Sequence, residues 1–209
     1  MEPKIILCTG GARSGKSEFA ERLAQSLYMK KHGAGDVSSD AVIDSKQAGL
    51  LYVATGQAFD DEMKGRIANH KHRRGTRWET HEIPLALEEH WSQVMDGEGS
   101  IILLDCLTMY VTNYVLQLSD PITSEAVDAL QERLTNEFDR IIESTRAHHK
   151  TLIMVTNEVG SGIVPDNALS RHFRDVAGYL NQHVAAAADE VYLTVSGITI
   201  EVKSKEVHI

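Results

Sequence analysis

Residues 4–23 read KIILCTGGARSGKSEFAERL, and this stretch decides the fold. KIILC is short and apolar, the signature of a buried strand, and SEFAERL opens an amphipathic helix. Between them Gly10, Gly11, Ala12, Arg13, Ser14, Gly15, Lys16 and Ser17 fit G-x-x-x-x-G-K-[ST], in the strand–loop–helix context this phosphate-binding pattern requires. The glycines let backbone N–H groups wrap phosphates without side-chain obstruction, and the helix N-terminus adds its positive dipole end. Lys16 is expected to reach the β- and γ-phosphates of a nucleotide, and the Ser17 hydroxyl to be a ligand of Mg²⁺.

Outward from this loop the same alternation continues. Strand candidates are Lys4–Cys8, Leu50–Ala54, Ser100–Asp105, Thr151–Thr156 and Glu190–Val195, with a final antiparallel hairpin strand over Gly197–Lys203. Helical patterns fall at Ser17–Met29, Asp60–Arg73, Pro84–Met95, Ser124–His148 and Ala168–Ala188. Nearly continuous apolar strands alternating with helices predict an α/β P-loop fold: a mostly parallel sheet with helices on both faces, in one nucleotide-binding domain over 1–209. Lys30–Gly49, rich in Gly, Ser and Asp, reads as a flexible surface insertion. Asp105 closes the strand SIILLD, where the sheet's C-terminal edge meets a ligand crevice. It is a candidate metal or ligand contact, with capping of the following helix as the alternative.

The 209 residues are 42% hydrophobic and 24% charged, an ordinary globular composition. No apolar run approaches a membrane span, and IILC followed at once by the glycine loop is no signal peptide, so a cytoplasmic location is expected. Cys8 and Cys106 end apolar strands and read as reduced core residues. The net charge of −9 argues against nucleic-acid binding.

Against that charge, residues 64–77 read KGRIANHKHRRGTR, a local cationic patch suited to polyphosphate. In the helical pattern DDEMKGRIANHKHRR, Glu62, Arg66, His70 and Arg74 share a face. The surrounding cations favour a neutral His70. A neutral imidazole is a competent nucleophile toward phosphorus; on chemistry alone, a plain surface histidine remains the alternative. His148 and His149 fall at a helix C-terminus.

The segments GGARSGKS (10–17), YVAT (52–55), DDEM…RI..HK…R…W.T.E (60–82), LLDCLT (103–108), VTN (111–113), VTNEVGSGIVP (155–165), RHFRDVAGYLNQ (171–182) and AAAADEVYLTVSGI (185–198) cover nearly the whole chain. With them the sequence resembles the bifunctional adenosylcobinamide kinase/adenosylcobinamide-phosphate guanylyltransferase family of cobalamin synthesis. The resemblance implies a RecA-like sheet and a homotrimer. It implies phosphorylation of adenosylcobinamide by ATP or GTP, then transfer of GMP from GTP to the product through a GMP–histidine intermediate at His70. It also implies nucleotide contacts at Thr55, Gly56, Gln57, Lys71, His72, Arg73, Arg74, Glu82 and Asp105. Two features depart from the family: the insertion at 30–49, and Gly75 where many members have proline. The alternatives are a plain small-molecule P-loop kinase and a GTP-dependent switch. The switch lacks a guanine-reading NKxD pattern, TNEV at 156–159 being the nearest.

Overall fold

The computed structural model of the protein describes residues 2–32, 49–57, 65 and 77–208. Among these, seven strands form one sheet in the order β3-β2-β4-β5-β1-β6-β7. They are β1 (Ile5–Gly10), β2 (Leu50–Ala54), β3 (Trp78–Glu82), β4 (Ile101–Asp105), β5 (Thr151–Val155), β6 (Glu190–Val195) and β7 (Ile198–Glu201). All neighbours are parallel except the β6–β7 hairpin. The helices are α1 (Lys16–His32), α2 (Leu87–Asp96), α3 (Leu107–Val115), α4 (Ser124–Ala147) and α5 (Ala168–Ala187).

Alternate residues of each apolar strand face opposite layers, which is why the central strands carry almost no polar side chains. Ile6, Cys8, Leu50, Tyr52, Leu103, Ile153 and Val155 meet α1 through Ala20 and Ala24, with Phe19, Leu23 and Leu27 around them. Ile5, Leu7, Leu51, Val53, Leu104, Leu152 and Met154 meet α2 to α5 through Trp91, Tyr110, Leu134, Phe138 and Val176. Each fully buried aliphatic side chain of this kind contributes roughly 1.5–3 kcal/mol. The parallel architecture with helices on both faces is the expected one. No helix among the described residues is long and apolar enough to cross a membrane.

The register aligns the strand ends. Glu82 pairs with Ala54, Ala54 with Asp105, Asp105 with Val155, and Val155 with Cys8. The C-terminal tips of β3, β2, β4 and β5 therefore form one row, and β1 runs two residues past it to Gly10. Both borders of the insertion differ from the sequence reading. Lys30, Lys31 and His32 continue α1 instead of beginning the insertion, because nothing in YMKKH breaks a helix. Gly49 packs on α1, where a Cβ would lie 1.8 Å from the Tyr28 ring. The rest of the insertion lies outside the described residues. One strand went unread: WETHE, now β3, sits at the sheet edge with only Trp78 fully buried.

Candidate active site

The loop leaves β1 at Gly10 and enters α1 at Lys16. A Cβ at Gly10 would lie 2.3 Å from the Thr194 carbonyl oxygen on β6 and 2.8 Å from Ser14 Oγ, so only glycine fits. Gly15 has φ +96°, which L side chains rarely adopt. Backbone bonds fasten the loop from two directions. The Glu158 N–H, after β5, donates to Gly10 O at 3.0 Å, and the Gly197 N–H, in the β6–β7 turn, donates to Ser14 O at 2.8 Å. Lys16 is buried and its Nζ donates to Gly11 O at 3.1 Å, which lays the cation across the loop. The first helical bond runs from Phe19 N–H to Gly15 O at 3.0 Å. The N–H groups of Lys16, Ser17 and Glu18 thus belong to the open first turn, where an anion binds. Ser14 Oγ is buried without a hydrogen-bond partner among the described residues, a polar atom left for a ligand in the cradle.

Asp105 stands at the tip of β4, its Oδ2 accepting from the Tyr52 hydroxyl at 3.2 Å. The N-cap of α3 is Cys106, with no side-chain cap, so Asp105 does not cap the helix. The donors expected for Mg²⁺, the Ser17 hydroxyl and the Asp105 carboxylate, are hard oxygens. They fit an ion that takes one or two protein oxygens beside phosphates and water. Burial pushes the Cys8 and Cys106 thiols up to about 12, and the Asp105 charge adds to both shifts. The Lys16 charge opposes the shift at Cys106. Both cysteines are free, as expected.

Thr55 is fully buried, one residue past β2. Its hydroxyl donates to Cys106 O at 2.7 Å and accepts from Cys106 N–H at 2.8 Å, lashing the tip of β2 to that of β4. Gly56 and Gln57 follow, half-buried. Asn113 of α3 reaches back to this point. Its Nδ2 donates to Thr55 O at 2.8 Å and to Pro84 O, beyond β3, at 2.8 Å.

Glu82 ends β3, exposed, and the chain then turns through Pro84 into α2. Side chains of two other helices take up the first N–H groups of this turn. Ala86 N–H donates to Tyr114 Oη at 2.8 Å, Leu87 N–H to Tyr110 Oη at 2.9 Å, and Glu88 N–H to Glu137 Oε1 at 3.0 Å. The Tyr110 hydroxyl donates to Glu137 Oε1 at 2.7 Å, and burial, with the Glu137 charge, holds that phenol well above its ordinary range. Beside this turn a cavity of about 430 Å³ is lined by His81, Glu82, Pro84, His90 and Gln93, among others.

One sheet edge thus collects Gly10–Ser17, Asp105, Thr55–Gln57 and Glu82. His70, Lys71, His72, Arg73 and Arg74 lie outside the described residues. Sequence reasoning assigned no role to Asn113, Thr108, Glu158 or Gly197. Thr108 Oγ1 accepts from Asn157 N–H at 2.7 Å, and Thr156 Oγ1 donates to Asn181 Oδ1 at 2.7 Å, which sets the segment that carries Glu158. The available signal was polar residues inside the apolar helix LTMYVTNYV, where a buried amide or hydroxyl must have partners.

A glycine loop closing a buried strand, a lysine across it and a carboxylate on a nearby strand tip define a P-loop nucleotide-binding protein. The family model for cobinamide kinase / cobinamide phosphate guanyltransferase matches residues 6–202, and the chain belongs to that family. It is 41% identical over 201 residues to the bifunctional adenosylcobalamin biosynthesis protein CobU of Salmonella typhimurium, covering 95% of this chain and 99% of that protein. It is 38% identical to CobU of Escherichia coli (95% and 99% covered) and 37% identical to CobP of Pseudomonas aeruginosa (95% and 97% covered). Among solved structures, the KaiC-like protein PH0186 of Pyrococcus horikoshii aligns with a TM-score of 0.46 at 13% identity, covering 92% of this chain and 71% of that one. The flagellar accessory protein FlaH of Methanocaldococcus jannaschii aligns with a TM-score of 0.42 at 16% identity, covering 95% and 75%.

Proposed function

We propose that this chain phosphorylates adenosylcobinamide with ATP or GTP, then transfers GMP from GTP to adenosylcobinamide phosphate, releasing pyrophosphate and giving adenosylcobinamide-GDP. The observation that carries this reading is the family match across residues 6–202 of a chain whose glycine loop is built as a phosphate cradle. Near-complete coverage of bifunctional relatives favours both activities over a kinase alone.

In the kinase step, Gly10–Ser17 position the triphosphate and Lys16 neutralises charge on the transferring phosphoryl group. Ser17 and Asp105 would hold Mg²⁺, which when bound offsets charge on the phosphate oxygens. Guanylyl transfer is a different displacement. An imidazole nitrogen of His70 attacks the α-phosphorus of GTP; the P–N bond forms and pyrophosphate leaves. A phosphate oxygen of the corrinoid then attacks the same phosphorus and frees the histidine. Two displacements let one nucleotide pocket serve an acceptor too large to bind beside the triphosphate. Lys71, His72, Arg73, Arg74, Thr55, Gly56, Gln57 and Glu82 are proposed to contact the nucleotide, as in the family. A homotrimer and a cytoplasmic location belong to the same reading; light scattering tests the first.

The deciding experiment is incubation with [α-³²P]GTP. A phosphoramidate at His70 is acid-labile and relatively stable to base, and labelling should rise with pH as the imidazole loses its proton. His70→Asn should abolish both label and guanylyl transfer while the kinase step persists. Full labelling of that variant would move the nucleophile to His72. A wild-type chain that never labels would point to direct transfer of GMP to the acceptor, and would give weight to a small-molecule kinase.

A further inference from the structure

We propose that Asn113 is a positioning residue for guanylyl transfer: its side-chain amide bridges Thr55 and Pro84 and so sets the spacing of the two strand-end segments on the guanylyl side of the site. This rests on the function proposed above. The VTN segment that contains Asn113 resembles the family, yet no step of the reaction uses it.

Asn113 is 2% exposed in the last turn of α3, where a buried polar side chain needs a reason. Its Nδ2 donates to Thr55 O and to Pro84 O, both at 2.8 Å. Both bonds span long stretches of sequence, and both acceptors are main-chain carbonyls just past a strand end. One precedes Gly56 and Gln57; the other lies two residues beyond Glu82. These carbonyls fall where the tips of β2 and β3 diverge, since the sheet ladder between them closes with Ile83 N–H to Ala54 O at 2.9 Å. One planar amide, with two N–H bonds in a fixed fork, therefore fixes their separation. Asn113 Oδ1 has no hydrogen-bond partner among the described residues, so the amide is retained for its donors.

Among the described residues no hydrogen bond joins Asn113 to the phosphate loop, which is fastened by Glu158 N–H and Gly197 N–H instead. Loss of the fork should therefore separate the two activities. A merely structural role would lower both together.

The test measures both activities on the full chain, well below the melting temperature. In Asn113→Ala the KM for GTP in guanylyl transfer should rise about tenfold, the size of losing one to two well-made hydrogen bonds. The kinase kcat/KM for adenosylcobinamide should stay within about twofold. Asn113→Leu keeps the bulk and loses both N–H donors; it should show the same split, and it replaces the alanine variant if that one does not fold. Val127→Ala truncates a core side chain on α4 and serves as the control, lowering thermal stability without a split. Hydrogen exchange should quicken at residues 55–57 and 83–85 in the Asn113 variants and stay unchanged at 10–17. An equal fall in both activities, an equal split in Val127→Ala, or unchanged exchange at 55–57 and 83–85 would overturn the inference and leave the function reading standing. A wild-type chain with kinase activity and no guanylyl transfer would overturn both.

Discussion

At the phosphate loop the chain is held by its own backbone, through Glu158 N–H to Gly10 O and Gly197 N–H to Ser14 O. At Thr55 and Pro84–Glu88 it is held by side chains: Asn113, Tyr110, Tyr114 and Glu137. The two regions share one sheet edge, but β3 is four strands from β1, about 19 Å at the usual strand spacing. A backbone-held loop is insensitive to most substitutions in its braces and unforgiving only at its glycines. A side-chain-held segment can be loosened by one truncation, which suits the region proposed above to serve guanylyl transfer.

The largest expected effect tests whether the loop side acts through charge rather than shape. Lys16→Ala should cut kinase turnover by roughly 10²–10³, as loss of a group facing developing charge does, with an unchanged circular dichroism spectrum. Near-normal steady-state turnover would break the assignment. Next comes Gly10→Ala. Its methyl group has no room against Thr194 O on β6, so β1 and β6 must part. Urea unfolding should show a loss of roughly 3 kcal/mol, at the upper end for overpacking, accompanied by loss of kinase activity. A variant as stable as wild type would show that the loop is looser than its two braces imply.

On the side-chain-held region the corresponding change is smaller. Glu137→Ala leaves the Tyr110 hydroxyl and the Glu88 N–H without their acceptor, at a cost of about 2 kcal/mol. Glu137→Gln keeps an acceptor oxygen and should cost under about 1 kcal/mol in the same denaturation assay. Equal losses would mean that the charge of Glu137 matters, and not its acceptor geometry. The smallest effect is a pH dependence on the loop side. Glu201, on β7, is held at about 2, first by hydrogen bonds from Ser204 and then by the Val191 and Lys203 N–H groups. A depressed carboxylate contributes stability above its ordinary value of 4.5 and loses it as the pH falls toward 2. The melting temperature should therefore fall more between pH 4.5 and 2 in wild type than in Glu201→Gln. Parallel curves would remove Glu201 from the account of how the hairpin is held.

The loop side was legible because its signals are local. KIILC, GGARSGKS and the helix follow each other without interruption, and Leu50–Ala54 and Glu190–Val195 are strands over the expected residues. The far side was harder to read. WETHE offers a single buried apolar residue, so no period announces β3. The partners of Asn113 are 58 and 29 residues away, and no spacing rule reaches them. Thr55 was legible as a family position, but the bond of its hydroxyl to Cys106 emerges only when β2 and β4 lie side by side. His70, in its helical pattern, lies outside the described residues, and its role rests on the sequence resemblance.

The Gly197–Ser14 bond also has a consequence for synthesis. Ser14 is synthesised 183 residues before Gly197, the donor of the second brace of the cradle. At usual elongation rates the loop waits roughly 10–40 s for its last contact. Nascent chains stalled before residue 197 should carry the whole glycine loop and still hold nucleotide poorly.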